Sequence, residues 1–226
     1  MARRVFLDVG GHTGETLAVV MEPRWRFDRI WTFEPTSRCW PVLESLADER
    51  VEVVRSGWWS ADTTLEIHDP GTERGSVAAA AAWTSEVETC RFIDAAAWLT
   101  ANVDESDEVW AKVNIESAEI EVLNHLLDTQ TVLLIDHLQV HFDAEMVLGE
   151  VEQANFVRER LRSAGVRYVE PGDVMFGRTI EAKTETWLAW TEGDRARFAW
   201  RRLVHRCRAR VFRLRQRARH AKGVGG

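Results

Sequence analysis

"RVFLDVGGHTGETLAVVME", residues 4–22, passes from an apolar strand pattern through a glycine-rich turn into a helical pattern. Residues 4–9 predict a strand, and residues 13–22 predict a helix with Thr13 as its expected N-cap. Gly10, Gly11 and Gly14 lie at the junction, where the lack of a Cβ lets the backbone turn tightly and lets a ligand approach. A helix N-terminus also favours a negative group. The stretch therefore predicts a strand–turn–helix unit with a candidate ligand site at its turn.

The same alternation of strands and helices continues along the chain. Further strands are predicted at 29–35, 51–59, 108–115, within 131–142, at 166–170 and at 186–190. Further helices are predicted at 41–48, 92–102, 118–127 and 151–165, the last closed by Gly165. Residues 64–69 predict an added hairpin arm, whereas 70–83 fit either a loop or a helical turn. Together they predict an α/β fold with a doubly wound, mostly parallel seven-stranded sheet, whose last two strands could instead pair antiparallel at one edge.

The charge distribution divides the chain at about residue 193. The net charge is -7, but residues 195–222 carry 12 Lys or Arg and no acidic residue, so the rest carries 17 basic against 36 acidic residues. Trp200, Val204, Cys207, Val211 and Leu214 recur there at helical spacing. This pattern predicts a domain at 1–192 followed by a basic amphipathic helix at 193–226. The helix could pack on the acidic body, join a homodimer, or contact another protein or a membrane surface. Nucleic acid is disfavoured because the body would repel phosphates.

The composition indicates a cytoplasmic protein. Cys39, Cys90 and Cys207 are scattered and odd in number, which fits neither a disulfide framework nor a zinc site. The N-terminal residues run directly into a strand pattern, without the apolar region of a signal peptide. No apolar run approaches the length of a membrane span, about 18 residues.

Two acidic residues lie at the carboxyl ends of the first two predicted strands. Asp8 is near the end of the first strand, and Glu34 ends the second, 26 residues later. An acid at the end of the second strand commonly binds ribose hydroxyls in nucleotide-binding sheets. The spacing Gly10-x-x-x-Gly14 differs from the dinucleotide fingerprint, and a merely tight turn is the alternative. Together with Glu34, the turn favours a nucleoside ligand.

Four motifs in order resemble the FkbM-type methyltransferases. These are "FLDVGGHTGET" (6–16), "FEP" (33–35), "FIDAAAWL" (92–99) and "AKVNIESAEIEVL" (111–123), and the resemblance spans about residues 5–143. It implies a class I Rossmann-like fold and S-adenosyl-L-methionine as cofactor. It also implies cofactor-binding roles for Asp8, Gly10, Gly11, His12 and Gly14 around the turn, for Glu34 at the ribose, for Ser56 and Gly57 near the adenine, and for Glu116 at the cleft.

The chain departs from the family pattern at three positions. His12 replaces the usual Asn, Asn114 replaces the family's Asp, and Ser117 replaces its Gly. At the end of the strand predicted within 131–142, the stretch "VHFD" (140–143) contains His141 and Asp143 where the family often has a Glu and a His. Ligands bind beyond the carboxyl ends of parallel strands, so Asn114, Glu116, His141 and Asp143 are expected to face one cleft.

The chemistry of a methyl transfer to a hydroxyl assigns roles to these residues. The acceptor must be aligned and must lose a proton. Asn114 cannot be a base but can orient a hydroxyl. His141 is the candidate base, because an unperturbed imidazole is the side chain suited to proton transfer near neutral pH, and Asp143 follows it as a further catalytic candidate. Glu121 fits a dipole-complementing role at a helix start, and Glu119 fits that role or a role in the cleft. The residue types permit a metal, but no spacing is diagnostic, and none is predicted.

The resemblance therefore implies an S-adenosylmethionine-dependent O-methyltransferase acting on a hydroxyl of a sugar, a glycan or a related small natural product. Asn114 and Ser117 keep an alternative open, namely a non-catalytic or weakly catalytic cofactor-binding protein tethered to a partner by the basic helix. An RNA methyltransferase is the third and least favoured interpretation, because of the acidic body.

Overall fold

The computed structural model describes residues 2–72, 75–77, 83–116, 118–142, 150–174 and 179–193. Nine strands are present in these ranges: β1 Arg4–Val9, β2 Arg29–Phe33, β3 Val51–Val54, β4 Gly57–Trp59, β5 Thr63–His68, β6 Val87–Asp94, β7 Glu108–Val113, β8 His137–Val140 and β9 Tyr168–Val169. The six α-helices of the same ranges are α1 Glu15–Val20, α2 Trp40–Leu46, α3 Ala95–Asn102, α4 Glu119–Asp128, α5 Glu150–Ser163 and α6 Ile180–Gly193. The basic helix predicted at 193–226 lies almost entirely outside the described residues.

Six strands form a parallel sheet in the order β3-β2-β1-β7-β8-β9. Both faces of this sheet are covered. Along β1, Val5, Leu7 and Val9 belong to one buried cluster, which α3, α4 and α5 complete, while Phe6 belongs to a second cluster with α1, α2 and α6. This alternation follows from the two-residue period of a strand. The fold is therefore an α/β, Rossmann-like sheet with helices on both faces, as the sequence pattern predicts.

The main sheet has fewer strands than predicted. Residues 186–190 are helical rather than a strand: they lie within α6, where Thr184, Trp187 and Thr191 are buried at helical spacing. The β-branched and aromatic residues of this stretch mimic a strand, but their burial follows a period near 3.6. The main sheet consequently has six strands, and its last strand, β9, pairs parallel with β8.

A second, three-stranded sheet has the order β4-β6-β5. The predicted strand at 51–59 breaks at Arg55 and Ser56, so β3 joins the main sheet and β4 joins this one. The predicted arm at 64–69 is β5, which pairs antiparallel with β6. The beginning of the predicted helix at 92–102 instead completes β6, and the helix starts at Ala95.

Asp94 explains why α3 starts where it does. Its Oδ1 accepts hydrogen bonds from the backbone N–H groups of Ala96 and Ala97, both at 2.9 Å, and lies 2.8 Å from His125 Nε2. Burial alone would raise the pKa of Asp94, but these hydrogen bonds outweigh it and hold the pKa below its usual value. The carboxylate is therefore an N-cap that also ties α3 to α4.

We expect Asp94→Ala to lower the free energy of unfolding by about 1–2 kcal/mol at pH 7, the usual cost of losing an N-cap. Because the folded pKa is depressed, this contribution is fully present above the unfolded value of about 3.9 and is lost as pH falls through the folded value. Urea denaturation at pH 7 and at a series of lower pH values measures it, with Asp128→Ala, an exposed acid on α4, as the control. A deficit that does not shrink as the pH falls below about 3.9 would contradict the charge-assisted cap.

Candidate functional site

A cavity of about 630 Å³ opens at the carboxyl edge of the main sheet. Four of its lining residues each follow the last residue of a strand: Gly10 after β1, Glu34 after β2, Asn114 after β7 and His141 after β8. Each still bonds through its backbone N–H to the last residue of the neighbouring strand, at 2.9–3.1 Å. The sheet therefore fixes these four positions, and the cavity lies where open α/β sheets bind their ligands.

The glycine turn forms one rim of the cavity through Gly10. Gly10 has φ +89°, and a Cβ there would lie 1.9 Å from the carbonyl oxygen of Asn114, so the close approach of β1 and β7 requires glycine. Gly11 and Gly14 do not line the cavity; they pack closely against Thr32 and Leu46. Gly14, rather than Thr13, precedes α1 as its N-cap. The turn is shaped by packing on both sides, and only Gly10 and His12 of the turn reach the cavity.

Glu34 is a buried carboxylate that faces the cavity and holds the turn. Its Oε2 accepts from the His12 backbone N–H at 2.9 Å, and its Oε1 accepts from the N–H and hydroxyl of Thr36, at 2.9 and 2.5 Å. A carboxylate offers about four acceptor sites, so one is left for a ligand hydroxyl. Glu34 therefore connects the loops that follow β1 and β2, and it keeps one hydrogen-bond acceptor site for a ligand in the cavity.

Asp8 lies beneath the turn rather than in the cavity wall. Its Oδ1 is 3.1 Å from the ammonium of Lys112, which also donates a 2.6 Å hydrogen bond to the carbonyl oxygen of Gly10. Burial raises the pKa of the Asp8 carboxyl, and the neighbouring Lys112 opposes that rise. Asp8 thus acts on the site through Lys112, which lines the cavity and fixes the Gly10 carbonyl.

Asn114 and His141 form a direct pair across the ends of β7 and β8. His141 Nδ1 lies 2.7 Å from Asn114 Oδ1. Because an amide oxygen only accepts hydrogen bonds, the Nδ1 atom of His141 carries the proton. The structure thus brings together the two residues that the sequence assigned to base and positioning roles. Asp143, the third such residue, lies outside the described residues.

The acidic residues around the β7–α4 corner have different surroundings. Glu119 is buried, and its Oε1 accepts a 2.7 Å hydrogen bond from the backbone N–H of Ile115, so it supports the corner. Glu121 accepts from the hydroxyl of Ser60 at 2.5 Å. Glu116 has φ +46°, lines the cavity, and accepts through its carbonyl from the hydroxyl of Ser76. Of the three, Glu116 and not Glu119 or Glu121 belongs to the cavity wall.

An apolar wall faces the cavity from the second sheet. Gly57 lines the cavity, whereas the buried Ser56 does not. The wall consists of side chains that the sequence analysis did not select: Trp58, Ile67 and Phe92. A Cβ on Gly57 would lie 2.4 Å from the Phe92 ring, so this glycine lets β4 and β6 approach.

The cavity also has a polar lining that the sequence analysis did not select. It includes Thr16 of α1, Lys112 of β7, Gln139 of β8, and Lys183 and Thr184 of α6. The alternation of β7 and β8 was the available signal for Lys112 and Gln139, since both lie one residue before a buried strand end. The residues of α6 carried no such signal, because part of that helix was assigned to a strand.

Within the described ranges, no group of three or more His, Cys, Asp or Glu side chains is placed to hold a metal ion. None of the helices in that part of the chain is both long enough and apolar enough to cross a membrane.

Comparison with known proteins gives one structural similarity. No protein-family model matches the sequence, and no curated protein matches it. The crystal structure of the methyltransferase FkbM from Methylobacillus flagellatus KT aligns with a TM-score of 0.38 and 15% sequence identity. The alignment covers 57% of this chain and 30% of that one, so the chain spans less than a third of the length of that protein.

Proposed function

We propose that this protein is an S-adenosylmethionine-dependent O-methyltransferase that acts on a hydroxyl of a sugar, a glycan or a related small natural product. The observation that carries the proposal is the single cavity that combines the Gly10 turn, the Glu34 carboxylate and the Asn114–His141 pair. The four ordered sequence motifs that resemble FkbM-type methyltransferases support the same assignment.

The residues of the cavity fit the cofactor. Glu34 has acceptor capacity for ribose hydroxyls, and the wall of Trp58 and Phe92 suits a flat aromatic base. Thr16 is buried, its hydroxyl has no hydrogen-bond partner in the described part of the chain, and it lines the same cavity. Such an orphaned group is expected to be satisfied by a ligand or by water. When bound, the cofactor supplies an electrophilic methyl group.

Proton removal is assigned to His141. With Nδ1–H held by Asn114, the basic nitrogen of the ring is Nε2, and the imidazole is fixed in orientation. A hydroxyl next to Nε2 would lose its proton to that atom as it becomes the nucleophile. Asn114 is therefore a positioning residue here. The uncharged amide of Asn114 accepts from Nδ1–H, so the lone pair of the ring lies on Nε2, the atom that accepts the proton.

We expect His141→Ala to lower the rate of methyl transfer by about 100-fold or more, the usual contribution of a general base, while the dissociation constant of S-adenosylhomocysteine changes little. The deficit should shrink at high pH, where the acceptor ionises more readily. His125→Ala, which removes a histidine outside the cavity wall, is the matched control. Equal turnover of His141→Ala and the wild-type protein would refute the base assignment.

The function itself is tested by calorimetry with S-adenosylhomocysteine and by transfer of a radiolabelled methyl group to a panel of glycans. Absence of affinity for the nucleoside would end the methyltransferase proposal. Affinity without transfer, converted into transfer by Asn114→Asp, would favour the alternative of a cofactor-binding protein with a degraded active site.

A further inference from the structure

Helix α6 contributes to the cavity wall from outside the part of the chain, about residues 5–143, that resembles the methyltransferase family. Trp187 of this helix packs against Phe6 of β1 with ring centroids 6.1 Å apart, in a buried cluster to which α1 also belongs. The indole N–H of Trp110 on β7 donates a 3.1 Å hydrogen bond to the hydroxyl of Thr191. Helix α6 therefore lies over β1 and β7, beside α1.

The contacts of α6 also fix the direction in which it runs. Glu192, in its last turn, accepts a hydrogen bond from the guanidinium of Arg4, the first residue of β1. The helix therefore ends at the amino edge of the sheet and begins towards the carboxyl edge, where the cavity opens. Thr184 precedes Thr191 by seven residues, so it lies about 10.5 Å nearer to that edge along the helix. This direction explains why the first two turns of α6, and not its end, line the cavity.

Three polar side chains of these first two turns have unused hydrogen-bonding capacity. Thr184 is only 1% exposed, lines the cavity, and forms no side-chain hydrogen bond within the described ranges. Glu181 and Lys183 are half-buried and line the cavity too, and neither forms an ion pair with another described residue. Because residues two apart on a helix do not face each other, these two charges do not neutralise one another. A carboxylate, an ammonium and a hydroxyl thus border the same cavity.

The cavity is apolar on one face of the sheet and charged on the other. Trp58, of the apolar wall, belongs to the buried cluster that α3, α4 and α5 complete, whereas α6 covers the opposite face together with α1. The carboxyl edge, where Glu34 follows β2, lies between the two faces. A nucleoside with its base on the apolar wall and its ribose at Glu34 would extend the chain attached to that ribose towards α6. In S-adenosyl compounds this chain ends in an amino acid, which is a zwitterion at neutral pH.

We propose that α6 binds the amino-acid end of the nucleoside. Lys183 pairs with the carboxylate of the ligand, Thr184 donates a hydrogen bond to the same group, and Glu181 accepts from the ammonium. The inference rests on the proposed function for the identity of the nucleoside. It makes α6 the element that selects an amino-acid-bearing nucleoside, because a nucleoside without that end gains nothing from these three side chains.

Calorimetry on the full chain with three nucleosides tests the proposal. The probes are S-adenosylhomocysteine, its decarboxylated analogue, which keeps the ammonium, and methylthioadenosine, which lacks both charged groups. We expect the affinity of the wild-type protein to fall in that order. Lys183→Met should weaken the binding of S-adenosylhomocysteine about 10-fold, the effect of losing one charged hydrogen bond, and leave the other two affinities unchanged. Glu181→Gln should weaken the binding of both ammonium-bearing ligands by about the same factor, and not that of methylthioadenosine.

The matched control is Glu185→Gln, which changes an exposed acid of the same helix that pairs with Arg24 and should alter none of the three affinities. Thr184→Val, nearly isosteric, should weaken the binding of S-adenosylhomocysteine about 5-fold. Methylthioadenosine that binds as tightly as S-adenosylhomocysteine, or an equal loss of both in Lys183→Met, overturns the role of α6 and leaves the nucleoside site in place. Failure of the wild-type protein to bind any of the three overturns the proposed function together with this inference.

Discussion

Replacing Glu34 with alanine is expected to weaken S-adenosylhomocysteine binding by about 1–3 kcal/mol, or about 5- to 150-fold in Kd. Two effects add. The variant loses the acceptor for ribose hydroxyls, and it leaves the backbone N–H groups of His12 and Thr36 without their acceptor. The second effect also loosens the turn, so we expect the free energy of unfolding to fall by about 1–3 kcal/mol. Calorimetry measures the change in the Kd of S-adenosylhomocysteine, and urea denaturation measures the change in the free energy of unfolding.

Two further variants distinguish the contact of Glu34 with the nucleoside from its structural role in holding the turn. Thr36→Val removes one donor to Glu34 but keeps the carboxylate, so it should reduce stability slightly and leave nucleoside affinity nearly unchanged. Glu44→Ala removes an exposed acid of α2 that pairs with Arg55 and should change neither quantity appreciably. Nucleoside affinity of Glu34→Ala equal to that of the wild-type protein would remove Glu34 from the site.

Four of the residues selected from the sequence directly follow the ends of strands. Gly10 was selected for the glycine turn, Glu34 as an acid that commonly binds ribose, and Asn114 and His141 because the carboxyl ends of parallel strands meet at one edge; the structure places all four in one cavity. The argument from strand ends needs only the strand boundaries, which apolar runs indicate well. It does not need the strand order or the register.

The residues that were missed depend on information that a single sequence does not contain. The contact between Asp8 and Lys112 depends on β1 being adjacent to β7, although 104 residues separate them. The apolar wall depends on β4 leaving the main sheet, a break marked only by Arg55 and Ser56. Thr184 and Lys183 depend on the helical conformation of α6, whose Trp- and Thr-rich sequence favours a strand by local propensity. Tertiary packing of Trp187 against Phe6 decides the conformation there.

The structural basis of the glycine turn can be tested at the Asp8–Lys112 pair. Asp8 is fully buried and Lys112 is nearly so, and the two are 3.1 Å apart. Removing one member of a buried pair leaves the other charge uncompensated, which costs about 3–5 kcal/mol. We therefore expect Asp8→Asn and Lys112→Met each to lower the free energy of unfolding by about that amount. Lys112→Met should in addition weaken nucleoside binding, because the Gly10 carbonyl loses its donor.

The double variant Asp8→Asn/Lys112→Met distinguishes a charge pair from two independent packing defects. It contains no uncompensated buried charge, so its loss of stability should be smaller than the sum of the two single losses by at least about 2 kcal/mol. The exposed pair Arg24–Glu185 is the control, and Arg24→Met should leave the free energy of unfolding nearly unchanged. Additive losses in the double variant would show that the two residues contribute separately. Nucleoside binding should stay weak even where stability recovers, since no ammonium then reaches the Gly10 carbonyl. If the double variant recovered both its free energy of unfolding and its affinity for the nucleoside, the turn would need only the absence of an unpaired charge beneath it. The hydrogen bond from Lys112 to the Gly10 carbonyl would then not be required for binding.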